Sequence, residues 1–147
     1  MFQYQVQVRW SDIDANRHLR HSVYYDYGAS ARMHLLSELG LTTQKLETMM
    51  IGPILFREEA VFRREILFED KISLHVELHK ASEDYSRWSL RHRFLKEDGT
   101  VAATLEVDGA WIDMTRRKLA TPDEFIRGVF DKIQKTSDFE TVVLKQK

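Results

Sequence analysis

Cysteine is missing from all 147 residues, which excludes disulfides, thiolate metal sites and a cysteine nucleophile. Only two prolines and six glycines occur, too few for a linker-like or low-complexity chain. An excess of one charge is missing too. Against 23 Asp and Glu stand 22 Lys and Arg, for a net charge of −1, so any basic patch is local and no nucleic-acid partner is expected. No apolar run approaches the roughly 20 residues of a membrane span. Met1-Phe-Gln-Tyr-Gln5 has neither the charged nor the apolar region of a secretory leader. The expectation is a cytoplasmic protein without a membrane partner. Gly-rich phosphate loops, His-Glu-x-x-His and Gly-x-Ser-x-Gly are absent as well.

What is present is a folded-protein balance of 43% apolar and 31% charged residues, at a length that fits one domain over 1–147. Tyr4, Val6 and Val8 alternate with Gln5, Gln7 and Arg9, the period of a half-buried strand. From Ser22 the pattern is helical, with Ser22 the expected N-cap and Gly40 the expected C′ residue. Gly28-Ala-Ser-Ala31 sets small residues mid-helix, where a sheet can approach closely. Leu41 to Pro53 reads as a loop with at most a short helical turn.

After Pro53 the period becomes two, through Ile54–Phe68, Ile72–Leu78, Trp88–Phe94 and Val101–Trp111. These are four long antiparallel strands, each with one apolar and one wet face. Asp98-Gly99 is the strongest turn signal between them. Thr121-Pro-Asp-Glu124 reads as a capping box with proline at N1. It opens a helix striped by Phe125, Val129, Phe130 and Ile133. Thr141 to Leu144 reads as a short edge strand or a frayed end. The core spans about 4–120, and the last helix and tail, 121–147, lie beyond it.

The chemistry gathers in Trp10-Ser-Asp-Ile-Asp-Ala-Asn-Arg-His-Leu-Arg-His-Ser-Val-Tyr-Tyr25. Two carboxylates at i, i+2, two imidazoles and a tyrosine precede a helix whose first N–H groups lack partners and attract negative charge. An Asp-x-Asp is in most proteins a turn or cap signal. A carboxylate beside such a helix start is also a base or nucleophile suited to acyl transfer.

Trp10, Asp12, Asp14, Ala15, His18, His21, Tyr24, Ala31 and Arg32 fall in the register of a known motif. The stretch resembles the opening of the hot-dog thioesterases of the 4-hydroxybenzoyl-CoA type, including the Tol-Pal-associated acyl-CoA thioesterases. The resemblance covers roughly Val6 to Pro122. It implies an α+β hot-dog fold, an antiparallel sheet wrapped around the long helix with an extra C-terminal helix. It implies hydrolysis of an acyl-CoA thioester to free acid and CoA, without metal or other cofactor, in a homodimer or homotetramer with active sites between subunits. By the same resemblance Asp14 is nucleophile or general base, His21 orients water or the thioester, and Tyr24 supports the site. The carbonyl oxygen meets a backbone N–H near His21.

His18 matches a motif histidine. Arg17 and Arg20 stand where the family has glycine and asparagine, as candidate partners of a CoA phosphate or a substrate carboxylate. Met49 and Met50 are adaptable apolar groups able to line an acyl pocket. Asp12 reads as a cap or support. His92, on an apolar face, reads as a satisfied core histidine, and Arg87, Arg91 and Arg93 as a solvated face. Two alternatives stay open: a non-catalytic acyl-CoA-binding module, and a hydratase or dehydratase pairing His21 with an acid such as Glu58 across a dimer.

Overall fold

A computed structural model describes residues 2–144. Strand β1 (Tyr4–Val6) leads through a single 3-10 turn (Trp10–Asp12) into α1 (Val23–Glu38) and α2 (Thr43–Met49). Then come β2 (Ile51–Phe62), β3 (Ile72–Ser82), β4 (Arg87–Lys96), β5 (Val101–Asp113), β6 (Lys118–Ala120), α3 (Glu124–Asp131) and β7 (Lys135–Val142). One sheet carries them in the order β1-β3-β4-β5-β2, with β6 on β5 and β7 on β3. The long strands pair antiparallel. This is the α+β hot-dog arrangement, with α1 as the enclosed helix. No helix among the described residues is long and apolar enough to cross a membrane.

The sheet reaches α1 because the helix is small where they meet. A Cβ on Gly28 would collide with Leu105 Cδ2 and lie 3.6 Å from the His92 ring. Ala31 beside it is fully buried. The helix ends as its sequence suggests. Gly40 takes φ +101, and Leu41 N–H donates to Leu36 O (2.8 Å) while Gly40 N–H donates to Ser37 O (3.0 Å). That is a Schellman closure. The start differs: Ser22 is helical in backbone (ψ −24) and makes no side-chain cap. Its hydroxyl is taken by Arg20 Nε at 3.0 Å.

Other expectations shift for local reasons. The turn after Gly40 is a full helix, α2, because Thr42 caps it through Lys45 N–H. Strand β2 begins ahead of Pro53 and ends at Phe62, not Phe68. Ile66 is nonetheless fully buried, in a loop whose carbonyl accepts from Leu19 N–H. The cap of α3 is Asp123, bonded to Ile126 N–H, not Thr121. Phe125 is therefore exposed, under Lys45, while Ile126 joins the buried stripe. The tail strand is longer than expected and runs parallel to β3.

The outer face of β3 is not wet. His75, Glu77 and His79 are buried beneath long ion pairs. Arg91 reaches Glu106 (2.8 Å) and Asp138 (3.2 Å), and Arg93 reaches Glu77 (3.1 Å). These arginines form a half-buried network rather than a solvated row, and Arg87 stacks over Phe56.

His92 is buried completely. Its Nδ1 lies 2.9 Å from Leu105 O and its Nε2 3.3 Å from the Arg32 guanidinium. A carbonyl only accepts and a guanidinium only donates, so Nδ1 carries the proton and Nε2 accepts. Burial first, then the Arg32 charge, push its pKa from 6.5 down to about 3. The unfolded chain therefore binds a proton between those values that the folded chain refuses, and His92 costs stability progressively as pH falls from 6.5 toward 3. We expect His92→Gln, a donor and acceptor that does not titrate, to remove about one proton from the slope of unfolding free energy between pH 6.5 and 4.5. His75, also lowered by burial, and toward the acid end carboxylates held below their usual range, Asp12 and Asp84 among them, supply slope that stays. Denaturant unfolding across that range measures the difference.

Candidate active site

The two carboxylates of the 10–25 stretch have different surroundings. Asp12 is 1% exposed and accepts from Arg9 Nε (3.0 Å), Arg9 NH2 (2.9 Å) and the Tyr27 hydroxyl (2.6 Å). Those bonds, the Arg9 ones foremost, hold its carboxyl below the usual range. Its carbonyl also accepts from Arg20 N–H. Asp12 thus ties the loop to α1 and has little left to offer a substrate.

Asp14 is only half-buried. Asn16 N–H donates to its Oδ1 at 2.9 Å, a local turn of the kind aspartate favours. Its Oδ2 lies 4.0 Å from His18 Nδ1. The backbone closes around it: Arg17 N–H donates to Asp14 O, and Asp14 N–H to His18 O, both at 3.0 Å.

Arg17 pays for that turn with φ +69, the left-handed region that suits glycine. The glycine of the family motif therefore answers a backbone need at this position. Arg17→Gly is expected to raise stability by roughly 0.5–1 kcal/mol, strain relieved less the extra freedom of the unfolded chain. A rise in Tm reads it, and no rise contradicts it.

Asp14, His18, His21 and Tyr24 line one cleft of about 400 Å³ with Asn16, Leu19, Phe62, Arg63, Arg64 and Glu65. Tyr24 is 3% exposed and wedged between Phe62 and Phe94, with ring centroids at 4.9 and 5.1 Å. Burial and the Asp14 charge push its hydroxyl up to about 12, so it stays a neutral donor. Val23 N–H donates to Arg20 O, while among the described residues neither His21 nor Ser22 N–H has a backbone acceptor. The helix start thus carries unpaired donors, at His21 on a residue that lines the same cleft as Asp14.

Four sequence candidates lie elsewhere. Arg17 is exposed. Arg20 turns to Ser22 Oγ and Ser11 O, both at 3.0 Å. Neither lines the cleft. Met49 and Met50 sit at another cavity, against Ala120 and Asp123. Conversely, the cleft holds two residues that the sequence analysis does not place there, Arg63 and Arg64. Both amides donate to Ala102 O (2.9 and 3.0 Å) just past the end of β2, which brings two cations to the Asp14 cleft. A strand that stops at Phe62 leaves no periodic signal for that.

Residues 8–130 match the model of the thioesterase-like superfamily. A gentisyl-coenzyme A thioesterase structure is 25% identical, covering 88% of this chain and 99% of its own, at TM-score 0.77. A Staphylococcus aureus protein solved in complex with CoA is 23% identical over 92% of this chain and 86% of its own, at TM-score 0.83. A protein of Aquifex aeolicus (strain VF5), provisionally described as an esterase, is 26% identical over 103 residues, 69% of this chain and 77% of that one. With that match spanning most of its length, the chain belongs to the thioesterase-like superfamily and is a thioester hydrolase of the hot-dog fold.

Proposed function

We propose that the chain hydrolyses acyl-CoA thioesters to free acid and CoA, with Asp14 as general base. The contrast between the carboxylates supports this most. Asp12 is consumed by Arg9 and Tyr27, whereas Asp14 faces a cleft with one oxygen held and the other available.

In the reaction Asp14 takes a proton from water as the water oxygen bonds to the carbonyl carbon. The carbonyl oxygen gains charge beside the His21 and Ser22 N–H groups at the start of α1. Collapse of the adduct breaks the C–S bond, and the departing thiolate takes the proton that Asp14 removed from water, which restores the carboxylate. His21 orients the water, and Tyr24 donates to the acyl oxygen side of the site. Arg63 and Arg64 meet phosphate oxygens of the carrier. Carriage by CoA is supported by the neighbour solved with CoA and by the gentisyl-coenzyme A thioesterase. The scheme uses no metal or prosthetic group.

Two copies pair through β2. It ends one side of the sheet, and its Phe56 (54%), Val61 (43%) and Phe62 (50%) are exposed on either side of the charged Arg57–Glu59. An unpaired edge strand carrying exposed aromatic and aliphatic side chains is a site for pairing with a second copy.

A thiol-release assay over aliphatic and aromatic acyl-CoAs tests the reading. Release of one thiol per acid formed supports hydrolysis. Binding without release indicates a binding module, and a change in acyl absorbance without thiol indicates a hydratase or dehydratase; either overturns the proposal.

A further inference from the structure

A second cavity, of about 260 Å³, lies between α1 and the sheet, with walls that include Leu36, Leu55, Trp88, Trp111 and Phe130. Among the described residues, Arg32 is the only charged one that lines it. The guanidinium forms no contact ion pair among the described residues, Glu58 acting on it only at longer range; its bond is to the neutral Nε2 of His92. Since Nδ1 of that ring is committed to Leu105 O, the imidazole holds the cation in place without cancelling its charge. A second donor is orphaned in the same wall: the buried indole N–H of Trp88 has no hydrogen-bond partner. Trp111, alongside, satisfies its own through Tyr85 O at 3.0 Å. An apolar chamber holding a cation with no contact ion-pair partner among the described residues and an N–H donor with no acceptor is complementary to a ligand with an apolar body and an anionic tip.

Along β2 this chamber lies well away from the Asp14 cleft, although on α1 Ala29 of its wall is five residues, roughly 8 Å of helix rise, from Tyr24 of that cleft. Leu55 on its wall and Phe62 on the Asp14 cleft are seven residues apart on β2, roughly 23 Å at strand rise. In the β2–β2 dimer proposed above, antiparallel pairing centred on Glu58 would close that gap, setting Phe62 of one subunit opposite the stretch around Ile54 of the other and each Asp14 cleft toward the partner's chamber. We propose that this chamber seats the acyl group, and that the preferred acyl group ends in a carboxylate held by Arg32 and the Trp88 N–H. The volume suits about nine non-hydrogen atoms at the ~30 Å³ each that a water occupies. The substrates are then CoA monothioesters of short aliphatic or aromatic dicarboxylic acids. This inference rests on the thioesterase and dimer reading above.

The test uses acyl-CoAs of matched length ending in carboxylate, carboxamide or methyl, assayed by thiol release with the wild type, Arg32→Met, Arg32→Lys and Trp88→Phe. Wild type is expected to favour the carboxylate over the methyl end at least tenfold in kcat/KM. Arg32→Met should erase that preference, the carboxylate-ended substrate losing at least tenfold more than the methyl-ended one, Arg32→Lys should restore part of it, and Trp88→Phe should weaken it. Preference for the methyl end, or an equal loss on all three substrates in Arg32→Met with an unchanged melting curve, overturns the inference. Calorimetric binding of the same panel to the Asp14→Asn protein separates the two layers. A carboxylate preference there that Arg32→Met removes upholds the chamber even if hydrolysis does not depend on Asp14. No preference in binding overturns it even if hydrolysis does.

Discussion

Asp14→Asn is expected to lower kcat for thioester hydrolysis about 1000-fold, in the range general-base removal produces, with Tm nearly unchanged. The amide keeps the shape and can still accept from Asn16 N–H, the only hydrogen bond of the carboxylate shown among the described residues. It cannot take a proton from water. The same change two residues earlier should do the reverse. Asp12→Asn leaves Arg9 without its ion-pair partner and weakens the Tyr27 bond in a buried place, costing about 1–3 kcal/mol of stability. Activity should fall only as far as the loop loosens. Steady-state thiol release and thermal melts on the two variants read this double dissociation. A pair that loses activity together and stability together would show the carboxylates to be one structural unit.

The largest loss of stability should come from Gly109→Ala, far from the chemistry. Gly109 lies in β5 opposite Trp88 and Leu55. A Cβ there would sit 2.6 Å from the backbone oxygen of Ile54 and 2.6 Å from Trp88 Cζ2. Neither neighbour yields. Ile54 O belongs to the paired strand β2, and Trp88 is packed against Trp111 and Phe130, with centroids 6.2 and 5.9 Å away. Overpacking against rigid groups of this kind costs about 3 kcal/mol or more, a fall in Tm on the order of 10 °C. Gly128 supplies the control. It lies inside α3 with open space around its missing side chain, so Gly128→Ala should raise stability by up to about 1 kcal/mol through helix propensity. Melting curves that moved together for both alanines would contradict the packing argument.

How much of this could be read from the chain follows from how local each feature is. The Schellman end at Gly40, the turn at Asp98-Gly99 and the close approach at Gly28 depend on a few neighbouring residues, and their spacing announces them. So does the Asp14 stretch, where a motif keeps its register even though Arg17 has replaced the glycine that its φ of +69 favours. The cap of α3 was misplaced by two residues because Thr121 and Asp123 are both capping types, and only the Asp123–Ile126 bond decides between them. Parallel pairing of β7 with β3 joins segments more than 50 residues apart, with no alternation in Lys135–Val142 strong enough to declare it. The chamber around Arg32 escaped for the same reason. Arg32 falls in the motif register, but its place in the chamber depends on a bond across 60 residues to His92, which no local spacing announces.

Single-turnover thiol release, with enzyme in excess over a thioester that the wild type cleaves, isolates the bond-breaking step from product release. The first-turnover rate should drop about 1000-fold in Asp14→Asn and stay within tenfold of wild type in Asp12→Asn. An Asp14→Asn protein that cleaves its first equivalent as fast as the wild type would show that another group carries out the attack.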